Sequence, residues 1–85
     1  MHGAPKRFVY LLRSVNEPHR PYIGLTSDVE ARLRAHNAGQ NASTASYKPW
    51  EIVVALEFPT EEKAVRFERY LKSGSGRAFA RRHFE

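Results

Sequence analysis

Apolar positions along this chain fall into short blocks, some with the two-residue rhythm of a strand and others with the 3.6-residue rhythm of a helix. Residues 7–13, RFVYLLR, are aliphatic and aromatic without strict alternation, which predicts a strand partly covered on both faces. Phe8, Tyr10 and Leu12 would share one face, with Val9 and Leu11 on the other. SVNEPHR then reads as a loop and PYIGL as a second strand. Seven connecting residues suit a wide antiparallel hairpin better than a tight turn. Ser27, with Glu30 three residues on, has the form of a capping box. It predicts a helix from Asp28 to about Asn37, striped by Val29 and Leu33 and ended by Gly39. Residues 39–49, GQNASTASYKP, read as a polar surface loop. WEIVVALEF is a third strand stopped by Pro59. Thr60 then caps a second helix whose first turn carries Glu61 and Glu62. That helix should end near SGSG, and RAFARRHF forms a short terminal helix. The expected class is α/β (α+β): a small three-stranded, mainly antiparallel sheet flanked by helices, in the order ββαβα(α).

Composition narrows this to one domain spanning 1–85, with its core over about 7–84. Eighty-five residues leave little room for a second core, and 41% hydrophobic with 12% aromatic residues suffices for a packed one. The absence of cysteine excludes disulfides and thiolate metal sites and fits a cytoplasmic protein. No apolar run approaches the roughly 18 residues of a membrane span. MHGAPKR has no long apolar segment behind it, so no signal peptide is expected.

Charge changes the picture further. The formal charge is +5, and from Arg66 to Phe84 six basic residues (Arg66, Arg69, Lys72, Arg77, Arg81, Arg82) accompany one acid, Glu68. Such a face suits a polyanionic partner, DNA or RNA, and equally a solvated basic surface.

Glu68 is the most informative position. On the second helix, Ala64, Val65, Phe67 and Leu71 mark the buried side, and Glu68 falls within that arc. A carboxylate there needs a partner: a metal, an arginine or a hydroxyl, or a salt bridge to Arg32 or Lys72. Arg32 and His36 project from one side of the first helix, where an arginine can hold phosphate oxygens and a histidine can move a proton. Tyr10 and Tyr22 face one another if the hairpin register allows, and Gly24 admits backbone or substrate closely. Tyr47, Trp50 and Phe79 offer stacking surface for bases, or ordinary packing.

In order, these residues resemble a family. Tyr22-Ile23-Gly24 is the second half of the motif that names the GIY-YIG nucleases, and Phe8-Val9-Tyr10 stands where its first half would be. Arg32 lies eight residues past Gly24 and His36 four further on, with Glu68 on the second helix. The resemblance covers roughly Phe8 to Phe84 and is closest to small stand-alone proteins similar to the nuclease domain of the excinuclease subunit UvrC. It implies hydrolysis of DNA phosphodiester bonds, in DNA repair or processing, with one divalent metal ion, Mg²⁺ or Mn²⁺, anchored by Glu68. Tyr10 would act as general base with His36 relaying its proton, Arg32 would clamp a phosphate oxygen, and Tyr22 would position the water or phosphate. Gly24, Arg69, Lys72 and Arg77 complete a substrate-binding set.

Two departures stand out: no asparagine follows Glu68, where the family often has one, and Leu25 follows Gly24, where related repair nucleases can carry lysine. The alternative is a catalytically weak or inactive nucleic-acid-binding module on the same fold. The expected partner is DNA, with single-stranded and branched forms both open. A monomer is expected, with a larger partner protein supplying sequence specificity.

Overall fold

A computed structural model describes residues 3–85; the first two residues of MHGAPKR lie outside it. Strand β1 (Phe8–Ser14) is central in a three-stranded antiparallel sheet, between β2 (Pro21–Thr26) and β3 (Trp50–Glu57). Helices α1 (Val29–Asn37) and α2 (Ala42–Ala45) lie between β2 and β3, and α3 (Glu61–Lys72) and α4 (Gly74–His83) follow β3. The order is ββααβαα. Ser14 and Pro21 both join the sheet, so the hairpin connection shortens to residues 15–20.

The alternation along β1 divides the core in two. Val9 and Leu11 pack with Ala64, Leu71 and Ala80 of α3 and α4. Tyr10 and Leu12 pack on the other face with Trp50, Tyr22, Val29 and Leu33. Leu11 pairs with Val54 but Leu12 with Ile52, which leaves Val53 as an extra residue, a β-bulge. The bulge lets adjacent Val53 and Val54 both pack on the α3–α4 core, while Ile52 serves the other. Arg13–Glu51 and Arg7–Glu57 pair across β1 and β3 near the surface, where such pairs contribute under about 1 kcal/mol each.

Three local expectations are corrected. The cap of α1 is Asp28, whose carboxylate accepts from Ala31 N–H; Ser27 is not the cap. Thr26 Oγ1 accepts from Asp28 N–H, and this turn holds Asp28 in the extended cap conformation. Second, residues 39–49 are not wholly loop. Asn41 accepts from Ser43 N–H and starts α2, after which a cis Lys48–Pro49 bond leads into β3. Third, the terminal helix starts at Gly74, before Arg77, because Ser73 ends α3 and caps α4 by accepting from Gly76 N–H.

The end of α1 follows its glycine. Gly39 sits at φ 78°, Gly39 N–H bonds His36 C=O and Gln40 N–H bonds Ala35 C=O. That is a Schellman closure, and it fixes the last turn, which carries His36. Thr60 caps α3 through Lys63 N–H as expected. No helix among the described residues is long and apolar enough to cross a membrane.

Candidate active site

The register sets Tyr10 opposite Gly24 across the β1–β2 ladder. A Cβ built on Gly24 would stand 2.6–2.9 Å from the outer atoms of the Tyr10 ring. The group that approaches Gly24 closely is therefore the Tyr10 side chain, which lies over β2. Its hydroxyl meets His36 Nε2 at 3.0 Å, and both side chains are fully buried. Tyr22 closes the cluster: its ring centroid is 6.1 Å from that of Tyr10 and 4.7 Å, edge-on, from that of His36.

His36 is held at both ring nitrogens. Thr44 Oγ1 lies 2.9 Å from His36 Nδ1 and 3.3 Å from Asn41 C=O. With the ring proton on Nδ1, directed at Thr44, Nε2 is the acceptor for the Tyr10 hydroxyl. Burial, helped by the Arg32 charge, holds His36 below the ordinary imidazole pKa, which favours this neutral form. Burial likewise raises Tyr10 above the ordinary phenol value, and the Arg32 guanidinium beside it pulls the other way.

Arg32 Nε is buried without a hydrogen-bond partner. A guanidinium donor rarely stays unpaired in a protein interior, because its desolvation is uncompensated. Here it sits next to Tyr10 and His36 with donor capacity to spare, as an anion-binding arginine requires.

Glu68 enters from α3, which packs on β2 and β1 on the opposite side of the sheet from α1. Its side chain is 14% exposed and lies 2.6 Å from Lys72 Nζ, one turn on. Of the two salt bridges open in the sequence, Lys72 forms and Arg32 does not. Lys72 and Arg77 line a groove with Tyr22, whereas Arg69 is exposed on α3 and lines neither this groove nor the tyrosine cluster. Tyr10, Tyr22, Arg32 and His36 thus form one cluster, and Glu68 and Lys72 form a charged pair linked to it through the groove.

The aromatic residues divide between packing and surface. Trp50 is buried and donates from Nε1 to Thr44 C=O. Phe79 packs on Phe67 and Phe84. Tyr47 is covered by Arg20, whose guanidinium carbon lies 4.5 Å from the ring centroid.

Sequence reasoning missed Thr44, because a four-residue helix of small residues has no apolar period. The available signal was Asn41 as a helix-starting residue three positions before a threonine.

The chain has relatives among known proteins. Structure-specific endonuclease subunit SLX1 of Candida dubliniensis is 36% identical over 80 residues, 85% of this chain and 28% of that protein. The same subunit of Rattus norvegicus is 41% identical over 73 residues, 75% of this chain and 27% of the relative. The chain thus spans little more than a quarter of either relative. In three dimensions it is similar to the solution structure of a UPF0213 protein from Bacillus halodurans. That match has a TM-score of 0.54 and 31% identity, and covers 89% of this chain and 80% of the other. Residues 6–82 match the family model of the GIY-YIG catalytic domain, and the chain belongs to that family.

Proposed function

We propose that this chain is a divalent-metal-dependent endonuclease that hydrolyses phosphodiester bonds in DNA, in repair or processing. The observation that carries this reading is the contact of the Tyr10 hydroxyl with His36 Nε2 beside Arg32, whose buried Nε has no hydrogen-bond partner. The relatives named as structure-specific endonuclease subunits support it. Their being subunits supports a larger partner that directs the chain to its site. The same reading takes residues 1–85 as one domain with its core over about 7–84, monomeric by itself and cytoplasmic.

Arg32 would hold a non-bridging phosphate oxygen as negative charge builds. A phosphate there would offset the guanidinium charge that suppresses His36 basicity. The attacking water then gives a proton to the Tyr10 oxygen while the Tyr10 hydroxyl proton passes to His36 Nε2. The water oxygen bonds to phosphorus, the bond from phosphorus to the leaving oxygen breaks, and that oxygen takes a proton from solvent. Tyr22 borders both Tyr10 and the groove, where it can position the water or the phosphate.

The residues present fit Mg²⁺ or Mn²⁺. Glu68 already holds one cation, the Lys72 ammonium, and its carboxylate is sheltered from water. Among the described residues no group of three or more acidic or histidine side chains gathers around it. Hard divalent ions keep several waters and need only one or two protein carboxylates. Bound at Glu68, the ion would supply Lewis-acid stabilisation of charge on the phosphate and the leaving oxygen.

The test is cleavage of end-labelled single-stranded, duplex and branched oligonucleotides with Mg²⁺, Mn²⁺ or EDTA. Metal-dependent cleavage should vanish in Tyr10→Phe, Arg32→Ala and Glu68→Ala. Equal cleavage by Glu68→Ala, or cleavage in EDTA, overturns the reading. One observation favours a second reading, a nucleic-acid-binding module without cleavage: Lys72 occupies the Glu68 carboxylate and no asparagine follows to share it. That module binds DNA in a salt-dependent manner and never nicks it.

A further inference from the structure

A groove of about 560 Å³ opens on the α3–α4 side of the sheet, beside the Glu68–Lys72 pair. Pro21 and Ile23 give it an apolar floor laid over buried Leu11, Leu71 and Ala80, and Lys72, Arg77 and Arg81 give it a cationic rim. The volume falls within the range of about 300–1,000 Å³ typical of small-ligand sites. Tyr22 lies in its wall and is shared with the tyrosine cluster.

Two features select what belongs there. Arg77 and Arg81 are exposed, stand one turn apart on α4, and have no carboxylate partner among the described residues. Even Glu85, the acid of the lining, pairs with neither. Guanidinium groups so placed match phosphate oxygens. The floor adds the second requirement. A duplex keeps its base faces stacked inside and offers a protein surface mainly phosphates, so an apolar floor gains little from it. An unpaired nucleotide has both an uncovered apolar base face and a flanking phosphate.

We propose that this groove seats an unpaired nucleotide of a single strand, its base on the apolar floor and its flanking phosphates on Arg77 and Arg81. The proposal rests on the nucleic-acid reading above and adds the substrate class to it: single-stranded DNA, or the unpaired strand at a branch, in preference to intact duplex. Lys72 makes the link to chemistry. Its ammonium contacts Glu68 while its side chain lines the groove, so a strand seated there passes beside the carboxylate assigned to the metal.

Binding is measured on the full chain in EDTA, where no metal-dependent cleavage interferes. The probes are a fluorescent oligothymidylate, an abasic oligomer of equal length and charge, and a blunt duplex, each followed by anisotropy across a salt series. The thymidylate should bind about tenfold more tightly than the abasic strand, since each stacked base contributes about 1–3 kcal/mol. The Arg77→Ala/Arg81→Ala double variant should weaken thymidylate binding and lower the salt slope by about 0.7 per arginine. Its circular dichroism should match wild type, because both side chains are exposed.

Equal affinity for abasic and thymidylate strands, tighter binding of duplex, or an unaltered double variant overturns the proposal. The cleavage assay separates the two readings. Metal-dependent cleavage with failed groove measurements removes the base seat alone. Groove measurements that hold without cleavage remove the nuclease reading alone.

Discussion

The ring of Tyr10 rests on the backbone of Gly24, its register partner, with no room for a methyl group between them. A Cβ at position 24 would stand 2.6 Å from the phenolic oxygen, and Tyr10 is fully buried and cannot swing clear. Gly24→Ala should therefore cost stability by overpacking, about 1–3 kcal/mol, and displace the hydroxyl from His36. Thermal melts would record the first effect. Cleavage measured well below the melting temperature should fall by more than the folded fraction does. Wild-type activity in this variant would show that the hydroxyl position does not matter.

Thr44 Oγ1 is the hydrogen-bond partner of His36 Nδ1, so its side chain can be tested apart from its volume. Thr44→Val keeps the shape, loses that oxygen and leaves a buried ring nitrogen unpaired, at about 1–3 kcal/mol. Thr44→Ser restores the oxygen. Nitrogen-15 chemical shifts of the His36 ring should show protonated Nδ1 and bare Nε2 in wild type and Thr44→Ser. Thr44→Val should mix the tautomers. Thr44 touches no reacting atom, so unchanged ring shifts would rule out its positioning role.

The buried pair gives a signed pH dependence. Tyr10 is raised and His36 lowered, each chiefly by burial. The relay ends on a neutral His36 whose pKa burial lowers, so cleavage should hold below about pH 6.5 and decline only at lower pH, as a pH–rate profile would record. For stability, unfolded histidine takes up a proton near its ordinary value of about 6.5, while folded His36 resists until lower pH. Stability should thus fall as pH drops below about 6.5, and the loss should continue until the folded form protonates too. The difference between wild-type and His36→Gln melting curves isolates this term. A constant difference from neutral to acid pH would contradict it.

Lys72 competes for the carboxylate that the metal would use. Lys72→Met removes the ammonium and keeps the aliphatic stem, so half-maximal cleavage should need less Mg²⁺ than wild type. Glu68→Ala should abolish metal-dependent cleavage while salt-dependent DNA binding persists. A Lys72→Met variant that requires more Mg²⁺ would make the lysine an aid to metal or substrate binding.

Much of the fold was legible because its punctuation is local. Thr60 before two glutamates, Gly39 after α1 and the β-rich runs each act through neighbours in sequence. The Glu68–Lys72 bridge was legible for the same reason, being one helical turn long. Ser27 and Asp28 are both good caps, and the choice between them was made by Thr26, whose hydroxyl takes the Asp28 N–H. No rule about the cap itself contains that. The tyrosine, arginine and histidine could be proposed together from their order. Their contact depends on the register that sets Tyr10 over Gly24, and Thr44 is added by a helix of four residues. Long-range geometry of this kind is carried by the whole sheet, which no short window of sequence contains.

Neighbouring residues of β1 serve different masters: Tyr10 and Leu12 face the imidazole side, Val9 and Leu11 the side of the charged groove. The buried phenol and the groove are thus assigned to opposite faces by the even–odd parity of one seven-residue strand. An extra residue in the 15–20 connection only lengthens a solvated loop. An extra residue inside β1 would invert every side chain beyond it and send the phenol towards the wrong helices. Added length is therefore tolerated at the joints, whereas the phase of the central strand has to be kept for the phenol to reach His36.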